Sequence, residues 1–177
     1  MYRKFAITML LLAVGFTGTA AEEIRSPDTY FFHESFGDLT EELQIARDEG
    51  KFGVMVMFEA NDCPWCERMK RNIFNRSSVQ NYFRDYFRIV LVNIDGDTLI
   101  TDFEGNETRE KVFALNNHRI RATPTFMFFD LDGEVATRYT GSAKSIEEFL
   151  WLGEYVVDGH YKNEKFIRFK RIKRESS

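Results

Sequence analysis

Cys63-Pro64-Trp65-Cys66 holds the only two cysteines of the chain, and its setting limits what the surrounding sequence can become. Before it runs Val54-Met55-Val56-Met57-Phe58, an unbroken apolar stretch of strand length. After it, Cys66, Met69 and Ile73 recur at helical spacing on one face. The first cysteine therefore falls where a strand ends and a helix begins, beside unpaired backbone N–H groups and the positive end of a helix dipole. A thiol near pKa 8.5 in isolation falls to roughly 3.5–7.5 in such a place, and the thiolate is the attacking species. The pair is thus a candidate dithiol–disulfide centre.

The N-terminus bears on how the cysteines are read. Arg3 and Lys4 precede an apolar run over 5–16, and Gly18-Thr19-Ala20 puts small residues at the −3 and −1 positions of a signal-peptide cleavage site. The run is short for a membrane span of ~20 residues, so removal of 1–20 and a periplasmic location are expected, with an uncleaved anchor as the alternative. Cleavage after Ala20 takes the formal charge from −4 to −6, and a mildly acidic protein does not suit nucleic acid as a general partner. An oxidising compartment tolerates structural disulfides. A 63–66 bridge, however, closes a very short loop and constrains little of the unfolded chain. In 177 residues, enough for one domain with a single good core, such a bridge is a poor staple, and the redox reading is preferred.

Along the chain, 24–36 mixes aromatic and polar residues and reads as an irregular N-terminal arm (21–37). Asp38 with Glu41 resembles a capping box opening a helix over 39–49, which Gly50 ends. A buried strand is expected over 52–58, then the helix of the cysteine motif to about 75, with Pro64 in its first turn. Ser77 or Ser78 is the expected cap of a helix to 86, and 88–94 is a second buried strand. Residues 95–108 are polar and turn-rich and read as an insertion with a small hairpin arm near 98–103. A helix over 109–117 and a strand over 126–129 follow. Asp132-Gly133 signals a hairpin to a strand over 135–140. Ser145 with Glu148 caps an amphipathic helix whose expected apolar face is Ile146, Phe149, Leu150, Gly153 and Val157. Residues 161–177 form a basic C-terminal extension, with seven basic side chains in 162–174. It reads as a terminal element with its apolar side on the domain and a solvated basic face, or as a docking surface for an acidic partner or a membrane. The eighteen Phe residues point to an aromatic core. The pattern predicts an α/β domain over 38–160, a central mixed sheet flanked by helices.

That element order, with Cys-x-x-Cys after the first central strand and Thr123-Pro124 before the third, resembles the thioredoxin fold. The stretches Phe58-Glu59-Ala60-Asn61-Asp62-Cys63-Pro64-Trp65-Cys66, Leu91-Val92-Asn93-Ile94, Arg121-Ala122-Thr123-Pro124-Thr125-Phe126 and the Gly-Glu-Tyr-Val-Val run at 153–157 resemble the secreted SoxW-like thioredoxin-related proteins. The resemblance implies Cys63 as the exposed nucleophile and Cys66 as the buried resolving thiol. It also implies Pro124 as a cis-proline facing the pair, and Thr123 as a backbone edge for an extended substrate. Its further implications are disulfide-bearing protein substrates and a membrane electron-donor protein, with no cofactor and no metal; a monomer is expected. Two departures stand out. Thioredoxins usually bury an acid six residues before the first cysteine, where this chain has Met57. Glu59, on the same strand face by period two, is the candidate substitute for proton transfer, a surface role being the alternative. Trp65 takes part of the usual Gly-Pro and is expected to sit exposed beside the thiol as a substrate contact or a cover.

With no Lys or Arg immediately beside the pair, and with Asp62, Glu67 and Glu59 opposing a thiolate, a disulfide reductase is favoured over a disulfide oxidase or isomerase. A copper or zinc carrier using both thiolates and a module in which the cysteines are idle are the remaining alternatives. His33, His118 and His160 are scattered singly and read as surface or core residues. Asp95, Asp97 and Asp102 lack the glycine and terminal Glu of a calcium loop and read as solvated turn residues.

Overall fold

In the computed structural model, residues 22–176 are described; the expected leader over 1–20 lies outside them. The strand leading into the cysteines, β1 (Gly53–Glu59), is buried at every position but Glu59. A run with no polar alternation needs cover on both faces, and it finds it. In chain order, α1 (Pro27–Tyr30) and α2 (Leu39–Asp48) precede β1. After it come α3 (Pro64–Met69), α4 (Ser77–Tyr86), β2 (Phe87–Asn93), β3 (Leu99–Thr101), β4 (Glu107–Arg109), α5 (Glu110–Val112), β5 (Thr125–Asp130), β6 (Val135–Thr140), α6 (Ile146–Val157) and α7 (Phe166–Ser176).

The main sheet has the order β2-β1-β5-β6, with β1 parallel to β2 and the other two neighbouring pairs antiparallel. A Cβ at Gly53 would lie 2.0 Å from the Phe129 carbonyl oxygen, so glycine is what lets β5 close on β1 there. Strand periodicity sends Met55, Met57, Ile89, Phe126 and Phe128 to one core with the cysteines, α4 and α6. Val54, Val56, Phe58, Val90, Val92, Met127 and Phe129 go to the other, covered by Leu39, Leu43 and Ala46 of α2. The result is a three-layer α/β/α arrangement.

Several expectations need correction. The arm is not wholly irregular: α1 turns it so that Phe31 is fully buried, its ring stacked on Phe74 at 4.3 Å. His33 exchanges two bonds with Ile89 on the outer edge of β2, its backbone N–H donating to Ile89 O and its Nδ1 accepting from Ile89 N. Edge strands need such cover. Neither Ser77 nor Ser78 caps α4; Arg76 takes the cap position without a side-chain bond. Instead Glu22 accepts from Ser78 N at 3.1 Å, so the arm caps the helix. The hairpin of the insertion pairs 99–101 with 107–109. Arg109 therefore ends β4 and is also the N-cap of α5, which continues as a π-turn over Phe113–Asn117; Leu115 in that turn is exposed. The helix of the cysteine motif loosens to a π-turn over Lys70–Phe74.

The buried face of α6 is Phe149, Leu152, Gly153, Tyr155 and Val156, rotated from the expected one because α7 covers its outer side. Gly153 earns its place against α4, where a Cβ would sit 2.4 Å from Tyr82 Cε1. The basic extension is not simply solvated on its charged face. Lys170 is 9% exposed and pairs at 2.8 Å with Glu148, itself 2% exposed, while Arg174 reaches the same carboxylate at 3.0 Å. Two apolar residues of α7, Ile167 and Ile172, point outward. Among the described residues no helix is long and apolar enough to cross a membrane.

Candidate active site

Cys63 occupies the N-cap of α3, with Pro64 at the first helical position. Its Sγ accepts from the Cys66 backbone N–H at 3.1 Å, and its carbonyl accepts from Glu67 N. The sulfur therefore sits where the first-turn N–H groups and the helix dipole favour negative charge. It is bonded to Cys66 across a Cα–Cα distance of 5.2 Å. Cys66 is 1% exposed and Cys63 8%. The nucleophile expected to be exposed is thus only the more open of two largely covered sulfurs.

The short turn between β1 and α3 is tied down from the end of β2. Asn61 N donates to Asp95 Oδ2 at 3.0 Å, and Asn93 Nδ2 donates to Asn61 Oδ1 at 2.7 Å. Asp95 N donates to Asn93 Oδ1, and Asn93 N to Glu110 Oε1. These are positioning residues that the sequence reading missed. The three aspartates read as solvated turn residues have defined partners: Asp95 holds the cysteine turn, Asp97 pairs with Lys111 at 2.6 Å, and Asp102, 7% exposed, accepts the N–H groups of Glu104 and Asn106. The usable signal was topological: β1 and β2 are parallel, so residues just past their C-terminal ends share one edge.

Glu59 lies on the Met57 face of β1 and pairs with Lys70 Nζ at 2.8 Å; Lys70 also approaches Glu67 at 3.8 Å. Lys70 is seven residues past Cys63 on the helical segment, a second residue missed. Trp65 is 56% exposed, with the Arg68 guanidinium 5.6 Å from its ring centre. The Thr123–Pro124 peptide is cis. Phe58 pairs with Thr125, and continuing that register brings Pro124 level with Glu59, beside the turn that leads to Cys63. Pro124 O accepts from Gly141 N, and Ala122 O from Thr125 Oγ1. The Thr123 backbone N–H and C=O have no partner among the described residues.

The histidines stand apart from the sulfurs. His118 packs against Phe113 and Phe129, and burial lowers its pKa. His160 lies against Phe169. Burial and the charges of Arg88, Arg84 and Lys51 push His33 down to about 3.

A sequence model of the thioredoxin-like domain matches residues 39–157. Similar solved structures include a thioredoxin-fold protein from Helicobacter pylori, at 22% identity and TM-score 0.57 over 70% of this chain and 85% of that one. A thioredoxin from Thermus thermophilus is 25% identical, with TM-score 0.57 over 76% and 94%. A Bacteroides thetaiotaomicron protein assigned as a disulphide-isomerase is 25% identical, with TM-score 0.55 over 82% and 99%. No curated protein matches the chain.

Proposed function

Because the chain belongs to the thioredoxin-like domain family, we propose that it is an exported thiol–disulfide oxidoreductase that reduces protein disulfides. The observation that carries the reading is the Cys63–Cys66 bond spanning the first turn of α3, with Cys63 Sγ accepting the Cys66 N–H. In the reduced protein the Cys63 thiolate attacks one sulfur of a substrate disulfide. The S–S bond breaks, the other substrate sulfur leaves as a thiolate and takes a proton, and a mixed disulfide forms. Cys66, deprotonated, then attacks Cys63 Sγ and expels the second substrate thiolate, which is protonated in turn. Two electrons pass to substrate and the 63–66 bond closes. A membrane electron-donor protein of the periplasm restores the dithiol, and the protein works as a monomer.

In this scheme Thr123 and Pro124 receive an extended substrate segment, for which the unpaired Thr123 backbone is suited. Trp65 supplies an exposed aromatic contact, and Glu59 handles the Cys66 proton. The kinship with SoxW-like proteins rests on the stretches quoted above. A disulfide isomerase is the second reading, favoured by the Bacteroides neighbour. The deciding measurement is the reduction potential of the pair against glutathione. A value well below that of an oxidising compartment supports the reductase; one at the strongly oxidising end overturns that direction. Cys66→Ser is expected to trap mixed disulfides in the periplasm, and a variant that captures nothing would refute the exchange mechanism. An unchanged pH–rate profile in Glu59→Gln would remove that residue from proton transfer.

A further inference from the structure

On the edge of the sheet away from β6, Arg84 and Arg88 come together beside His33. His33, Arg84 and Arg88 line a cavity of about 380 Å³ between the arm and the α4–β2 junction, with the exposed Asp28 and Glu34 also lining it. Lys51 lies close by; its Nζ donates to the Arg84 carbonyl and pairs with Glu49 at 3.3 Å.

The donors of this cluster are mostly unspent. Because His33 Nδ1 accepts from Ile89 N at 2.9 Å, the neutral ring carries its proton on Nε2, which has no partner among the described residues. Arg84 uses Nη1 on Phe32 O at 3.1 Å, and among the described residues no carboxylate lies within ion-pair distance of it. Arg88 uses Nε on the buried Glu42 at 2.8 Å, which leaves both its terminal nitrogens. Burial and then the neighbouring Arg88 charge hold Arg84 below the usual guanidinium range, with only Glu49 opposing. Half-buried guanidiniums with unmet N–H groups are costly unless an acceptor arrives. Arg is well suited to supply several of them in one fork.

We propose that this cavity binds a small oxyanion of the phosphate or sulfate class, held by Arg84, Arg88 and the Nε2–H of His33. A tetrahedral anion presents enough acceptors for all three donors, and its charge offsets the repulsion between the two guanidiniums. One wall belongs to the arm (Asp28, His33, Glu34) and the other to α4 and β2 (Arg84, Arg88). The bound anion therefore latches the arm to the sheet edge. Free inorganic anion and a phosphate monoester share this chemistry.

The test uses the mature chain and its variants Arg84→Gln and His33→Gln; Arg88 is left in place because the buried Glu42 depends on it. Calorimetric titration and thermal melts are run with inorganic phosphate, sulfate and glycerol phosphate against chloride at matched ionic strength. Saturable binding with a rise in Tm of about 4 °C near saturation is expected. Arg84→Gln is expected to weaken binding roughly tenfold or more and to remove the phosphate dependence of Tm, with disulfide exchange unchanged. Tighter binding of glycerol phosphate than of phosphate assigns a monoester; the reverse assigns the free anion. If chloride reproduces the rise, or Arg84→Gln binds as the parent does, the site is refuted. Should Arg84→Gln not fold, the same criteria are applied to His33→Gln, and unaltered phosphate affinity there refutes the proposal.

Discussion

Phe31→Ala tests whether the N-terminal arm is part of the folded core, although the family match begins only at residue 39. Phe31 is fully buried, parallel to the Phe74 ring at 4.3 Å and 7°, with Phe32 edge-on at 5.1 Å and Phe149 at 6.2 Å. Truncation removes the transfer free energy of a whole ring and leaves a cavity, together about 3–5 kcal/mol for Phe→Ala. Collapse into the gap is limited, because Phe74 and Phe149 are themselves fully buried and held by other rings. A loss near the middle of that range, about 4 kcal/mol, is expected, out of a total of roughly 5–15. Urea denaturation of the oxidised protein reads it directly. At a slope of ~2 kcal/mol/M the midpoint falls by roughly 2 M, with the slope itself unchanged. A loss below about 1 kcal/mol would show that the arm merely rests on the domain. A lowered slope would show instead that the arm leaves the native state altogether.

Two further outcomes concern charge. Lys170→Met leaves Glu148 buried with only Arg174 and the Tyr139 hydroxyl, and is expected to cost about 2–3 kcal/mol, below the 3–5 of a fully broken buried pair. Adding Glu148→Leu is expected to restore stability to within ~1 kcal/mol of the parent; strictly additive losses in a thermal double-mutant cycle would refute the coupling. His33 is faced by Arg84, Arg88 and Lys51, with Asp28 and Glu34 more exposed. Its folded pKa of about 3 lies below the unfolded value of ~6.5, so its neutral form is the one that folds. Its contribution is complete above pH ~6.5 and is lost as pH falls from there toward 3. The full shift would correspond to ~5 kcal/mol; with the ring only partly buried, ~2 is expected. His33→Gln is expected to flatten the stability profile between pH 6.5 and 4, and an unaltered slope would remove His33 as its source.

What could be read from the sequence was what local pattern controls. The continuous apolar run of β1 and the cysteine spacing needed no partner to be recognised. The Asp132-Gly133 turn was equally plain, and Gly133 has the positive φ of +79° that such a turn asks for. The arm was opaque because Phe31 and Phe32 are adjacent and follow no period, so only the docked chain shows both rings turned inward. The buried face of α6 was misjudged for a different reason. A helix covered on one side by the sheet and on the other by α7 has apolar residues all round, and a moment-based reading cannot choose between its faces. Asn61, Asn93 and Asp95 carry no local signature; their joint role arises from two parallel strands ending side by side.

The direction of electron flow also depends on a contact that sequence distance hides. The case for a reductase began from carboxylates near Cys63 with no adjacent cation. In the fold, Lys70 lies 2.8 Å from Glu59 and 3.8 Å from Glu67, so it cancels part of the field that both would place on the sulfur. A thiolate exists only in the reduced protein, so whatever disfavours it lowers the potential. Lys70→Met frees both carboxylates and is expected to make the pair more reducing. Partly exposed charge pairs are worth ~0.2–1 kcal/mol, which at ~30 mV per 1.4 kcal/mol gives about 5–20 mV. Glu59→Gln and Glu67→Gln are expected to shift the potential by a similar amount in the opposite direction. Lys70→Arg should hold it near the parent value. Glutathione equilibration with quenched thiol alkylation resolves the signs, and the signs carry the test. A positive shift for Lys70→Met, or shifts of one sign for all three variants, would show that these charges do not act on the Cys63 thiolate.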